Sequence, residues 1–174
     1  MKTFISAIAL LFFISFSQAQ ETPKYFNKVQ TLDSTIETLY SVISGEKGEE
    51  RDWALFQYLF TENAKLIPTG MNQEKSFNVN YWSPEEYIEK AGVYLQANGF
   101  FEKEIHREVQ TFGSLTHVFS TYESYNSQNE ETPFARGINS IQLLYDNYRW
   151  WIVNIYWVGE SEANPIPKQY LPTN

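Results

Sequence analysis

The stretch that most constrains this chain is residues 134–158, FARGINSIQLLYDNYRWWIVNIYWV. Two runs rich in Ile, Leu, Val, Trp and Tyr flank Asp146-Asn147. Asp and Asn tolerate the positive φ of a tight reversal, so the stretch reads as a β-hairpin. A two-residue turn sets Tyr145 against Tyr148, Leu143 against Trp150, Ile141 against Ile152 and Asn139 against Asn154. The opposite face carries Arg136, Ile138, Ser140, Gln142 and Leu144 beside Trp151, Val153, Ile155 and Trp157. Both faces are largely apolar. Such a hairpin needs a helical layer or ligand cavity on one side and a second cover, often another subunit, on the other.

Residues 1–19 read as a signal peptide. Lys2 is a positive start, 4–16 form an apolar core, and Ser17-Gln18-Ala19 is a small-x-small cleavage site. The run is short for a membrane span. With no Cys there is neither a lipid-anchored thiol nor a disulfide framework. The expectation is a periplasmic or secreted protein, cleaved near Ala19-Gln20. About 155 residues then remain, enough for one domain. Without Lys2 they carry 21 acidic and 12 basic side chains, a net charge of −9. That balance argues against a nucleic-acid partner and against an anionic membrane surface. Aromatic residues make up 17% of the chain, which suits an aromatic-lined cavity or a broad interface.

A polar lead-in, 20–30, precedes a first helix at 31–44, with Leu32, Ile36, Leu39, Tyr40 and Ile43 at helical spacing and Gly45 as the stop. A shorter helix follows a charged loop, with Trp53, Phe56, Leu59 and Phe60 on one side and Asp52 in its first turn. Residues 64–68 and 76–81 are short strands. Ser83-Pro84-Glu85-Glu86 opens a third helix with a capping box, and Asn98-Gly99 ends it. From residue 100 the period becomes two. Strands at 101–112 and 115–125 join at Gly113-Ser114, a polar loop follows, and the hairpin closes the domain. Residues 161–174 read as an extended tail. Three helices on one face of a curved, mostly antiparallel sheet make an α+β cone spanning 31–160.

The element order and the stretches RDWALFQYLFTENAKLIP, FFEKEIHREVQTFGSLTHVFSTYES and RGINSIQLLYDNYRWWIVNIYW resemble the nuclear transport factor 2-like superfamily, in its SnoaL-like bacterial branch of unassigned activity. Relatives include steroid isomerases, scytalone dehydratase, polyketide cyclases and non-catalytic binding domains. The resemblance therefore implies a pocket and leaves its use open.

The Gly113-Ser114 turn sorts side chains by face. Gln110 pairs with His117, Glu108 with Phe119, His106 with Thr121 and Glu104 with Glu123. Val109 with Val118, Arg107 with Ser120 and Ile105 with Tyr122 form the pocket-like face, and one bulge would exchange the two. Arg107, Ser120 and Tyr122 are the leading pocket residues. Arg107 suits a carboxylate or enolate, and Tyr122 a developing oxyanion. Arg107 equally suits an ion pair with the helical layer, for instance with Asp52. The resemblance places Asp52 and Trp53 at the cavity mouth, where Asp52 reads as a general base or as a helix cap. Asn139, Asn154 and Arg136 are hairpin groups available to a ligand, the two Asn alternatively satisfying each other. Gly137 marks a bulge or a close backbone approach. His106 and His117 lack ligand spacing, so no metal is expected, and no motif implies a cofactor. Two readings follow. The absence of a strong acid–base motif favours an exported module whose aromatic-lined pocket binds a small, partly apolar ligand. Arg107, Tyr122 and Asp52 motivate a cofactor-independent lyase or isomerase acting on a small carbonyl compound. In both, a homodimer covers the outer sheet face.

Overall fold

A computed structural model describes residues 23–72, 74 and 76–173, so the expected signal segment lies outside the described residues. Helix α1 (Leu32–Ile43) starts at a capping box. The Thr31 side chain accepts from the Ser34 amide and the Ser34 side chain accepts from the Thr31 amide. It buries Ile36, Leu39, Tyr40 and Ile43 against the sheet. Past its end, buried Arg51 donates to the carbonyls of Ile43 (3.0 Å), Gly45 (2.7 Å) and Glu49 (2.6 Å). One guanidinium thus satisfies oxygens that a helix end and its loop would leave orphaned.

Helix α2 (Trp53–Tyr58) is one and a half turns long and is capped by Asp52, which accepts from the Leu55 amide at 2.9 Å. Phe60, expected on this helix, instead opens strand β1 (Phe60–Met71), which absorbs the expected 64–68 strand and the first part of the linker beyond it. Strand β2 (Phe77–Val79) folds back on β1. The third helical element begins as expected at the Ser83/Glu86 capping box. It runs as α3 (Pro84–Tyr87) through a π-helical turn (Ile88–Gly92) into α4 (Val93–Asn98). Trp53 packs where Gly92 lacks a side chain: a Cβ there would lie 2.9 Å from the indole.

Strands β3 (Phe101–Phe112), β4 (Leu115–Tyr125), β5 (Ala135–Tyr145) and β6 (Trp150–Gly159) complete one six-stranded sheet in the order β2-β1-β6-β5-β4-β3. Only the β1–β6 pairing is parallel. The helices lie on its concave face over a core that includes Ile36, Phe56, Leu59, Val118, Ile141 and Ile152.

Two registers depart from expectation. From Gln110–His117 to His106–Thr121 the β3–β4 ladder runs as expected, and then a bulge at Ile105 shifts it. Glu104 pairs with Tyr122, Lys103 with Glu123 and Glu102 with Ser124, in place of Glu104 with Glu123 and Ile105 with Tyr122. The regular ladder would set two carboxylates opposite each other, which destabilises a pair of strands. The bulge substitutes Lys103, whose Nζ lies 3.5 Å from the Glu123 carboxylate. In the β5–β6 hairpin the loop has four residues, 146–149, with Asn147 at φ 70°. Asp146 accepts from the amides of Tyr148 and Arg149 and from the Trp151 indole N–H. Arg149 is buried, its guanidinium 4.0 Å from the Tyr58 ring centre and 3.6 Å from that of Trp151. A second shift beyond Leu143 leaves Asn139 opposite Trp157 and Asn154 opposite Gln142, so the expected Asn139–Asn154 pair does not form.

The tail does not trail free. Residues 160–173 turn back over the convex sheet face. Thr121 Oγ1 donates to the Tyr170 carbonyl at 2.6 Å, and the Tyr170 ring meets Phe119 edge-on at 5.0 Å. Part of the face expected to lie under a second subunit is therefore covered by the chain itself.

Arg51→Met keeps the length of the side chain and strips five carbonyls of a donor, those of Ile43, Gly45 and Glu49 at close range and those of Leu95 and Glu46 at 3.3 and 3.5 Å. Urea denaturation should show a loss of about 3 kcal/mol. A loss below about 0.5 kcal/mol would mean that water replaces Arg51 at no cost.

Candidate functional site

Two hollows open between the helices and the concave face. The inner one, about 320 Å³, is walled by Leu39, Phe56, Leu66, Trp82, Tyr87, Tyr122 and Trp157. The outer one, about 580 Å³, is a polar cleft bordered by Glu37, Tyr40, Lys103, Glu104 and Arg107. Glu102 lines both. It points inward because the Ile105 bulge puts it across from Ser124, whose hydroxyl donates to its carboxylate at 3.0 Å. Its backbone amide donates to Ser44 Oγ at 3.0 Å, which ties the strand to the end of α1.

Burial pushes the Glu102 carboxyl up from its ordinary 4.5 to about 7, against the opposing pull of hydrogen bonds from Ser124 and Asn139. Desolvation disfavours the charged form, and here it outweighs two donors. The same burial, reinforced by the charge of Glu102, raises the phenols of Tyr87 and Tyr122 well above the ordinary tyrosine range. Both stay protonated at neutral pH. Among the described residues neither hydroxyl has a hydrogen-bond partner, and both line the inner cavity. The Tyr122 hydroxyl sits against Gly137, where a Cβ would lie 2.4 Å away, so the close backbone approach expected at that glycine is real.

The expected pocket residues separate into three places. Tyr122 and Asn139 line the inner cavity. Ser120 is fully buried beneath it, bonded to the Tyr40 hydroxyl at 2.7 Å and to Glu104 at 2.5 Å. Arg107 borders the outer cleft with its guanidinium already engaged. Nε and Nη2 donate to Glu104 at 2.7 and 2.5 Å, and Nη1 donates to Asp33 at 2.7 Å. It is a tie to the helical layer, as one reading had it, but the carboxylate is Asp33 rather than Asp52.

The remaining expected residues lie elsewhere. Asp52 lines neither hollow. It is exposed, held below the usual carboxylate range chiefly by the Leu55 amide, and accepts from the Tyr25 hydroxyl. It caps α2, the second of the two readings, and lies away from both hollows. Trp53 packs edge-on against Phe56 and fills core space. Asn154 and Arg136 belong to the convex side, where Arg136 pairs with Glu160 at 2.8 Å. His117 Nε2 lies 2.9 Å from Ser140 Oγ on that side too. Among the described residues no group of three or more His, Cys, Asp or Glu side chains is placed to hold a metal ion.

The residues that sequence reasoning missed are Glu102 and Tyr87. Neither stands out in the sequence: Tyr87 is one aromatic on the third helix, and regular alternation would put Glu102 on the face of Glu104, away from the pocket-like one. One signal was present: a carboxylate pair at Glu104 and Glu123 that a regular ladder would set opposite each other, at a cost to the pairing.

No protein-family model matches the chain, and no curated protein matches it in sequence. Solved structures do. An NTF-2-like protein of unknown function from Silicibacter pomeroyi superposes with a TM-score of 0.50 at 16% identity, over 74% of this chain and 92% of its own. A candidate ketosteroid isomerase from Shewanella frigidimarina gives 0.51 at 12% identity, over 71% and 91%. A candidate calcium/calmodulin-dependent protein kinase II association domain from Xanthomonas campestris gives 0.54 at 14% identity, over 75% and 86%. At these identities the likeness is one of fold, and it agrees with the element order, the open curved sheet and the helical layer described above. The chain has the nuclear transport factor 2-like fold, as an α+β cone.

Proposed function

We propose that the inner cavity carries out cofactor-independent proton transfer next to a carbonyl group in a small, partly apolar compound, as an isomerase or lyase. The observation that carries this reading is one carboxyl poised near 7 beside two unpartnered phenols in an apolar hollow. A base titrating near the working pH combines availability with proton affinity. Glu102 takes a proton from the carbon beside the carbonyl. The electron pair moves onto the carbonyl oxygen, and Tyr122 and Tyr87 donate hydrogen bonds to the enolate that results. Glu102 then returns the proton at a conjugated carbon, giving an isomer, or the enolate expels a β-substituent with its bonding pair and Glu102 hands that group the proton, giving an alkene. Asn139 steadies the carboxylate form between turnovers. The candidate ketosteroid isomerase among the structural neighbours is compatible with this chemistry and supports it only at the level of fold.

The alternative, a binding module without turnover, uses the same cavity. Small β,γ-unsaturated ketones distinguish the two through the ultraviolet absorbance of the conjugated product. Turnover is expected, with kcat/KM falling about 10³-fold in Glu102→Gln and about 10²-fold in Tyr122→Phe. Binding of these ketones without product would instead establish the module, and unchanged rates in the variants would remove both residues from the chemistry.

The raised carboxyl also has a folding signature. The folded chain keeps the Glu102 proton up to about 7, while the unfolded chain releases it near the ordinary 4.5. Between those values the folded state binds more protons, so stability falls as pH rises and levels off above about 7. Urea unfolding at pH 5 and pH 8 should show wild type losing on the order of 2 kcal/mol more than Glu102→Gln. Equal losses would place Glu102 in water.

The same reading includes a homodimer through the part of the outer face that the tail leaves open, where Tyr156 and Val153 remain exposed. The association-domain neighbour is compatible with such assembly. Light scattering of the full chain at micromolar concentration should give the dimer mass, and a monomer mass rejects the interface.

A further inference from the structure

The side chains behind the cavity form a single line. Asn139 Nδ2 lies 3.0 Å from the Tyr40 hydroxyl, Tyr40 lies 2.7 Å from Ser120 Oγ, and Ser120 Oγ lies 2.5 Å from Glu104 Oε1. The other Glu104 oxygen accepts from Arg107. Tyr40 and Asn139 are buried, and Ser120 is completely so, which makes an unmatched donor or acceptor anywhere along the line costly.

We propose that Glu104, Ser120 and Tyr40 form a one-way hydrogen-bond chain that dictates which end of the Asn139 carboxamide faces Glu102, and so act as positioning residues for the site. The logic is a count of hydrogens. A carboxylate only accepts, so the one Ser120 hydroxyl hydrogen goes to Glu104. Ser120 can then only accept from Tyr40, whose single hydrogen is thereby used. Tyr40 must accept from whatever faces it, and that selects the amide nitrogen of Asn139 over its oxygen. The nitrogen's second hydrogen is left for the inner cavity, whose wall Asn139 shares with Glu102. Reversing any link would turn the amide oxygen toward Glu102 and set acceptor against acceptor. The outer ion pair of Glu104 and Arg107, remote from the inner cavity, thus reaches the proposed base through three neutral groups. The ionisable groups facing Glu102 are the phenols of Tyr40 on α1, Tyr87 on α3 and Tyr122 on β4, together with Glu104 on its own strand, balanced by Arg107.

This inference rests on the reading of Glu102 as the base, but its test does not require turnover. The titration of the Glu102 side-chain carboxyl is followed by carbon-13 NMR in the purified full chain. Ser120→Ala frees the Tyr40 hydrogen to point at Asn139 and turn the amide, so the Glu102 midpoint should rise by about one to two units. Ser120→Thr retains a hydroxyl and should restore the wild-type midpoint. Glu104→Gln keeps its oxygen on Arg107 and turns an amide N–H toward Ser120, which reverses the chain, so it should raise the midpoint as well although it removes a negative charge, and it stands in should Ser120→Ala fail to fold. Folded variants with lower Tm and an unchanged Glu102 midpoint would show the chain to be structural and overturn the proposal. A wild-type midpoint near 4.5 would instead remove Glu102 from its place in the cavity, and with it the proposed function. Absence of turnover alongside the predicted shifts would leave the chain standing without that chemistry.

Discussion

Like charges cannot share a rung of a β-ladder without cost, and in this chain that rule decides where the cavity acquires its carboxylate. A regular β3–β4 ladder sets Glu104 against Glu123. The bulge at Ile105 relieves the clash, brings Lys103 beside Glu123, and turns Glu102 and Glu104 from the wet face to the concave one. One inserted residue thus creates the inner carboxyl, the outer ion pair with Arg107, and the hydrogen-bonded line between them. The bulge also lies where a long strand must bend to follow the cone, so curvature and chemistry share a single irregularity.

Once turned inward, the two acids meet different surroundings. Glu104 finds Arg107, which donates to it twice at the border of the outer cleft. Glu102 finds an apolar cavity, two donors and neutral phenols, so its proton is held to about 7. Placing two carboxyls two residues apart in such unlike environments lets one anchor the strand and leaves the other as the base of the proposed chemistry. Burying Glu102 costs stability at neutral pH, a cost typical of groups retained for function rather than for folding.

Much of the scaffold was legible in the sequence. The Gly113 turn and the period-two alternation locate β3 and β4, and Ser83-Pro84-Glu85-Glu86 locates the third helix, because in each case a local rule decides the outcome. The hairpin register was not legible. Asp-Asn signals a reversal without fixing its length, and Arg149, the last loop residue, packs between Trp151 and Tyr58, which is far away in sequence. The site was half legible. Tyr122 and Asn139 sit on stretches of strand whose inward face the alternation marks correctly. Glu102 was hidden because alternation alone assigns it to the wrong face, and Asp52 looked catalytic only because a helix cap and a general base use the same side chain. The outer sheet face was misread in part, since nothing in the composition of residues 161–173 says that Tyr170 returns to Phe119.

The inward turn of Glu102 and Glu104 depends on the β3–β4 register, and cross-strand nuclear Overhauser contacts in the isotope-labelled chain measure it directly. The account predicts contacts of Glu104 with Tyr122 and of Glu102 with Ser124, with Ile105 unpaired. Contacts of Glu104 with Glu123 and of Ile105 with Tyr122 would mean a regular ladder, with Glu102 and Glu104 facing solvent and no carboxylate in the cavity.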